Sequence, residues 1–204
     1  ALPISYAMTT TADVAMTSQS MDADGAVTMS VTSPWGDVTV RVPAAGVHMA
    51  SNALAALAIA GVCGVPIADA ARGLESARLS PMRMENHVTV GGARVVADCY
   101  NANPASVAAA LRTLAALQAN RRIAVLGGMA ELADEAVEHR RIADLAAELG
   151  IQVFGVGTDL YGAEVITIDD AVSLIDGLGE GAAALVKGSR VARLERVVSA
   201  LRLR

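Results

Sequence analysis

The first part of the chain alternates apolar and polar side chains. Within residues 1–43, the stretches 26–32 and 37–42 alternate with a period of two, and Pro34 and Gly36 lie between them. This period is typical of half-buried strands, and the turn residues predict a hairpin.

The pattern then becomes helical over residues 47–78. It predicts one helix from about Ala50 to Cys63 and a second from about Ile67 to Ala77, with turn residues after the first. The next segment, 79–86, has no period and contains a proline. We interpret it as a linker between two domains.

From about residue 88 onward, short apolar runs alternate with helical segments. Alternation of this kind predicts an α/β domain with a mostly parallel sheet and helices on both faces. The predicted strands are 94–97, 122–126, 152–156, 164–168 and 184–186, and the main helices between them are 104–117 and 134–149. Ligands in such sheets bind at the carboxyl ends of the strands.

Composition narrows the class of protein. The chain has 204 residues, a formal net charge of −5 and an apolar majority, which argues against a nucleic-acid-binding protein. Cys63 and Cys99 are isolated, without metal-ligand spacing, which fits a reducing compartment. The longest apolar run, 53–62, is too short to span a membrane, and residues 1–4 do not have the pattern of a signal peptide. We therefore expect a soluble cytoplasmic protein without membrane insertion.

The most informative stretch for chemistry is residues 98–104, which follows an apolar strand and leads into a helix. The carboxylate of Asp98 can accept two ribose hydroxyls, and the amides of Asn101 and Asn103 can orient phosphate or sugar. The alternative is a capped turn, with Asn103 as the helix N-cap and Asp98 bonded to loop amides.

Five segments together resemble the Mur ligase family, in the branch that adds D-alanyl-D-alanine. Residues 98–104 are similar to its Asp-x-Tyr-Asn-Ala-Asn-Pro signature. The other four segments are 46–56, 82–85, 125–132 with His139 downstream, and 185–190 followed by Leu194 and Glu195.

The resemblance implies a fold and an activity. Residues 1–80 would be the end of a central ATPase domain, built from β-hairpins and two helices. Residues 81–204 would be a Rossmann-like, mostly parallel α/β domain. The implied activity uses ATP and Mg²⁺ to join D-alanyl-D-alanine to UDP-N-acetylmuramoyl-tripeptide through an acyl phosphate, in a monomer.

The same resemblance implies roles for particular residues. The implied nucleotide-binding residues are His48, Asn52, Arg83, Asp98, Tyr100, Asn101 and Asn103, and the implied dipeptide-binding residues are Lys187, Ser189 and Arg190. More ordinary roles compete with these, such as helix capping for His48 and a linker charge for Arg83. We interpret His139 as part of a solvated helix face and Met129 as a core residue.

The chain departs from the family pattern at three positions. Met49 stands where Asn is usual, Gly128 where Asp is usual, and Met82 where Gly is common. No Gly-x-x-x-x-Gly-Lys-Ser/Thr phosphate loop occurs, so we expect the chain alone to be inactive and to contain no catalytic or metal-binding residues. The alternatives are a folylpolyglutamate or cyanophycin synthetase and a non-catalytic nucleotide-binding or scaffold module.

The linker also predicts motion between the two domains. The implied nucleotide contacts fall on both sides of residues 79–86, so we expect a hinge there that closes on ligand. Limited proteolysis would then cut near Arg78 or Arg83.

Overall fold

The structure is a computed structural model that describes residues 3–22, 25–77 and 80–204. The chain divides into two compact units, Ala1–Leu79 and Ser80–Arg204. This boundary lies one residue before the predicted domain boundary, while the family identity of each domain stays a prediction. In the described parts of the chain, no helix has the length and apolar character needed to cross a membrane.

The first unit is a four-stranded sheet with two helices. Its elements are β1 (Tyr6–Ala7), β2 (Val14–Met21), β3 (Ala26–Thr32), β4 (Val38–Ala45), α1 (Val47–Val62) and α2 (Ile67–Glu75). The strands pair in the order β1-β2-β3-β4, and the predicted β3–β4 hairpin is confirmed as antiparallel. Helix α1 begins earlier than predicted, after Gly46 at φ 99°, and its N-cap makes no side-chain hydrogen bond.

Helices α1 and α2 pack against the sheet and bury its apolar side chains. Val14, Val40, Leu54 and Leu57 are fully buried in this core. The ring of Trp35 lies so close to α1 that a Cβ at Gly61 would be 2.2 Å from it. Gly61 is therefore required by packing, although glycine weakens a helix interior.

The second unit is a six-stranded sheet with the order β5-β6-β10-β7-β8-β9. Its strands are β5 (Glu85–Val88), β6 (Arg94–Asp98), β7 (Arg121–Gly127), β8 (Gln152–Val156), β9 (Glu164–Ile166) and β10 (Ala182–Lys187). All pair in parallel except β5, which is antiparallel to β6. The predicted α/β fold with a mostly parallel sheet is confirmed.

Helices cover both faces of this sheet. They are α3 (Pro104–Ala116), α4 (Glu135–Glu148), α5 (Ile168–Asp176) and α6 (Glu195–Ala200), with a 3-10 helix at Arg190–Ala192. Helices α3 and α4 pack together, as do α5 and α6. The predicted strand 164–168 ends at Ile166, because Thr167 caps α5 by accepting the Asp170 N–H.

The linker prediction is wrong for residues 80–86, which belong to the second unit. Glu85 and Asn86 are part of β5, and Met84 is buried. The Met82 N–H donates to Glu85 Oε2 at 2.9 Å, and the Met82 carbonyl accepts the Tyr100 N–H at 3.1 Å. Residues 80–86 are therefore part of the second unit, and the hinge itself stays a prediction. Residues 78 and 79, including the predicted cleavage point at Arg78, lie outside the described residues.

Candidate functional site

Three sequence-distant loops meet at one edge of the second unit's sheet. In the strand register Lys187 lies opposite Asp98 on one side and Leu126 on the other. The loops that follow β6, β10 and β7 therefore start beside one another. This is the edge where open α/β sheets bind ligands, at the point where the strand order reverses.

A buried ion pair joins the first two of these loops. Lys187 Nζ donates to Asp98 Oδ2 at 2.5 Å and to the Asn101 carbonyl at 2.9 Å. The Lys187 side chain is 1% exposed and that of Asp98 is 13% exposed. The partner of Asp98 is thus an ammonium group. Among the described residues, no loop N–H donates to Asp98, so the capped-turn alternative does not hold for this side chain. A buried charge of this kind is tolerated only with its partner in place.

The loop residues after Asp98 shape the start of α3. Asn101 Oδ1 accepts the Ala102 N–H at 2.8 Å. Asn103 is the N-cap of α3 and forms a capping box with Ser106, with bonds of 2.8 and 3.1 Å. The capping alternative for Asn103 is therefore confirmed. Pro104 follows at the first helical position, where its missing N–H is not needed.

Arg83 and Tyr100 form a stacked pair beside this loop. The Arg83 guanidinium carbon lies 4.0 Å from the centroid of the Tyr100 ring, and Tyr100 is 44% exposed. Met82 and Met84 flank Arg83 at φ 63° and 50°. The left-handed conformation costs roughly 1–2 kcal/mol for a residue with a side chain. This explains why glycine suits position 82 and shows that the backbone around Arg83 is strained.

The loop after β10 contains the implied dipeptide-binding residues. Ser189 is 2% exposed, its N–H donates to the Gly128 carbonyl at 3.1 Å, and its Oγ has no hydrogen-bond partner among the described residues. Arg190 is exposed, with Nη1 3.8 Å from Met82 Sδ. Arg190 is therefore open to a ligand, whereas Lys187 is already engaged by Asp98.

The loops after β7 and β10 are in direct backbone contact. A Cβ at Gly127 would lie 2.5 Å from Ala192 Cβ, and a Cβ at Gly188 would lie 3.1 Å from Gly127 Cα. In contrast, a Cβ at Gly128 would meet nothing within 4 Å. The departure from the family pattern at Gly128 thus leaves open space at the sheet edge.

The prediction that His139 belongs to a solvated helix face is wrong. His139 is fully buried, and its ring lies 4.8 Å from that of Tyr161, centroid to centroid. Its spacing carried a signal for this burial, because His139 precedes the buried Ile142 and Ala146 by three and seven residues. Met129, predicted as a core residue, is confirmed as buried.

Two further buried groups lie near this edge. Burial raises the pKa of the Tyr161 hydroxyl. Burial, followed by the negative charge of Asp98, raises the pKa of the Cys99 thiol from 9.0 to about 12. The Cys99 Sγ–H donates to the Val186 carbonyl at 3.3 Å, so this thiol is an inert part of the core.

The remaining candidates, His48 and Asn52, lie in the first unit. They are four residues apart in α1 and so share one face of the helix. Asn52 Nδ2 is 3.6 Å from Met49 Sδ, a weak contact with the residue that replaces the usual Asn. Their role toward a nucleotide stays a prediction.

The described residues contain no group of three or more His, Cys, Asp or Glu side chains that could hold a metal ion. No step of the chemistry below is assigned to a metal held by this chain.

Comparison with known proteins shows the family to which the chain belongs. The family model described as "Mur ligase, glutamate ligase domain" matches residues 82–190, more than half of the chain. The chain therefore belongs to the Mur ligase family.

Individual relatives give a more specific match than the family model does. The UDP-N-acetylmuramoyl-tripeptide--D-alanyl-D-alanine ligase of Treponema pallidum is 38% identical over 180 residues, covering 80% of this chain and 39% of that protein. The structure of MurF from Acinetobacter baumannii matches with a TM-score of 0.83 and 28% identity, covering 96% of this chain and 46% of that one. The chain thus spans less than half the length of these relatives.

Two more distant structures show the fold alone. MurF from Thermotoga maritima, in complex with ADP, has a TM-score of 0.79 at 21% identity and covers 96% of this chain and 47% of that one. Folylpolyglutamate synthase from Mycobacterium tuberculosis has a TM-score of 0.70 at 20% identity, covering 94% and 49%. Fold alone therefore does not separate the D-alanyl-D-alanine ligases from the folylpolyglutamate synthetase alternative; the sequence identity to the former favours them.

Proposed function

We propose that this chain is the carboxy-terminal part of an ATP-dependent ligase that joins D-alanyl-D-alanine to UDP-N-acetylmuramoyl-tripeptide in peptidoglycan synthesis. The observation that carries the proposal is the meeting of residues 98–104 with residues 187–190 at one sheet edge, through the Lys187–Asp98 pair. The name and identity of the Treponema pallidum relative support the choice of substrates.

The reaction consists of two transfers. The γ-phosphoryl group of ATP moves to the terminal carboxylate of the tripeptide, and ADP leaves. The free amine of the dipeptide then attacks the acyl phosphate, an amide bond forms, and phosphate leaves. The work of the protein is positioning and charge stabilisation.

On the nucleotide side, Asp98 accepts the ribose hydroxyls and Arg83 contacts the ribose or phosphates. The stack of Arg83 on Tyr100 fixes the guanidinium plane while leaving Tyr100 partly exposed. Asn101 and Asn103 act mainly by holding the loop and the start of α3, since their side-chain oxygens accept backbone N–H groups there. His48 and Asn52, in the first unit, are the remaining residues proposed to bind the nucleotide.

On the dipeptide side, Arg190 and Ser189 bind the incoming substrate. Arg190 is an exposed cation suited to the dipeptide carboxylate, and the buried Ser189 hydroxyl has no partner within the part of the chain that the structure describes. Lys187 acts indirectly, because its ammonium is occupied by Asp98 and the Asn101 carbonyl. It couples the nucleotide loop to the dipeptide loop.

The setting follows from these substrates. ATP and a UDP-linked precursor place the enzyme in the cytoplasm, and its product supports cell-wall growth, cell shape and division. Mg²⁺ belongs to the complete enzyme through residues outside this chain, and we propose that the enzyme is a monomer.

An acceptor panel tests the proposal. The full-length ligase would be given ATP, UDP-N-acetylmuramoyl-tripeptide and one amine at a time, with ADP release measured. We expect release with D-alanyl-D-alanine and none above background with D-glutamate or L-glutamate. Turnover on folate with L-glutamate would favour the folylpolyglutamate alternative, and no turnover with any amine would favour a non-catalytic module.

The assigned role of Asp98 has its own test in the same assay. Asp98→Ala removes an acceptor of two hydroxyl hydrogen bonds, each worth roughly 1.5–3 kcal/mol to a charged group. Because the change also removes the partner of Lys187, the KM is measured on variant enzyme shown to be folded, and we expect it to rise for ATP. An unchanged KM for ATP with normal turnover would show that Asp98 serves only the ion pair.

A further inference from the structure

The ring of His139 is held in one neutral form by two backbone groups. Nε2 lies 2.9 Å from the Met129 nitrogen, which donates to it, and Nδ1 lies 2.6 Å from the Glu135 carbonyl. A carbonyl only accepts, so Nδ1 carries the proton and Nε2 is the unprotonated acceptor. His139 thereby fixes the Met129 amide from within the core.

Tyr161 fixes the same loop two residues earlier. Its hydroxyl donates to the Gly127 carbonyl at 2.9 Å, and its ring meets His139 edge to face. Between these two anchors, the Gly128 carbonyl accepts the Ser189 N–H. The residue that receives Ser189 is therefore held on both sides by buried side chains.

Residues 127–129 pack closely against the loop after β10, so a movement of one displaces the other. Gly127 has no room for a Cβ against Ala192, and Gly188 has little against Gly127. Gly128 itself has open space around it, so no side-chain packing holds the middle of the loop. The buried hydrogen bonds of His139 and Tyr161 hold Met129 and Gly127 on either side of it, beside the pairing of Gly127 with Val156.

We infer that His139, supported by Tyr161, is a positioning residue for the dipeptide side of the site. It holds residues 127–129 so that the Gly128 carbonyl orients Ser189 and, through it, Arg190. This inference rests on the proposed function, because it takes residues 189 and 190 as the dipeptide-binding loop.

The test compares two replacements of His139 in the full-length ligase. His139→Leu removes the acceptor for the Met129 N–H, whereas His139→Gln offers an amide oxygen near the position of Nε2. We expect His139→Leu to raise the KM for D-alanyl-D-alanine by about ten-fold, because Ser189 and Arg190 would no longer be held in the binding position. We expect the KM for ATP to stay within about two-fold, and His139→Gln to recover most of the loss.

Two controls separate positioning from lost stability. Ile142→Ala removes a buried side chain one turn further along α4, and we expect no selective rise in the dipeptide KM. Tyr161→Phe deletes only the hydroxyl, so it remains informative if His139→Leu does not fold, and we expect a smaller rise of the same kind. Amide hydrogen exchange at Ser189 should be faster in both His139→Leu and Tyr161→Phe.

The outcomes also distinguish this inference from the proposed function. If Ser189→Ala raises the dipeptide KM while His139→Leu and Tyr161→Phe do not, the positioning role is overturned and the proposed function stands. If none of the three changes it in an active enzyme, the dipeptide role of Ser189 and the positioning role of His139 both fail, while the proposed ligase activity stands. An equal rise in the KM of every substrate, matched by the rise in Ile142→Ala, would also overturn the positioning role of His139.

Discussion

Removing either charge of the Lys187–Asp98 pair should destabilise the second unit strongly. Breaking a buried pair by deleting one partner costs about 3–5 kcal/mol. Lys187→Met leaves a carboxylate that is 13% exposed and keeps some water, so we expect about 3 kcal/mol. Asp98→Asn strands an ammonium that is 1% exposed, so we expect a loss nearer 5 kcal/mol. The double variant removes both charges and should lose about 2–3 kcal/mol less than the sum.

The assay is a double-mutant cycle of urea unfolding on the 204-residue chain. Hydrogen exchange in peptides from β6 and β10 reports the second unit, while fluorescence of Trp35, the single tryptophan, reports the first. The Arg141–Glu138 pair on α4 is a matched control, with an N–O distance of 2.6 Å but side chains 69% and 27% exposed. We expect its coupling to stay below about 0.5 kcal/mol. A Lys187–Asp98 coupling no larger than this would refute the reasoning.

Glycine contacts and the missing phosphate loop give three more predictions. Gly127→Ala should destabilise the chain by about 1–3 kcal/mol through overpacking, whereas Gly128→Ala, in open space, should be nearly neutral by thermal unfolding. Gly61→Ala should destabilise the chain although alanine favours a helix, because the new methyl group would clash with Trp35. Gly73→Ala, which meets no neighbour, should stabilise it by about 0.5–1 kcal/mol. A variant at Gly61 that is more stable than the variant at Gly73 would contradict this packing. The chain alone should release no ADP from ATP, and release dependent on both ligase substrates would contradict this.

The periodic parts of the fold could be predicted from the sequence, because burial on one face imposes a period. The β3–β4 hairpin and the helix Pro104–Ala116 were found this way. The strand order could not be predicted, since no local pattern shows that β10 inserts between β6 and β7. For the same reason the pairing of Lys187 with Asp98, 89 residues away, was not visible.

Residues 80–86 differ from the linker prediction for another reason. Pro81 and the lack of a period are typical of a linker, but β5 is a short strand at the sheet edge and the preceding residues use left-handed conformations at Met82 and Met84. Left-handed conformations cannot be predicted from the residue type when the residue is not glycine. The polarity of His139 predicts a solvated position, whereas its position on the apolar face of α4 predicts the burial that the structure has.

The most direct test of the proposed function is the product made by the full-length protein that contains this chain. Mass spectrometry would follow UDP-N-acetylmuramoyl-tripeptide incubated with ATP and an equimolar mixture of D-alanyl-D-alanine, D-glutamate and L-glutamate. The account predicts a single new species that has gained one D-alanyl-D-alanine by amide formation, with one ADP released per product. A product carrying glutamate, or unchanged tripeptide in the presence of folded enzyme, would contradict it.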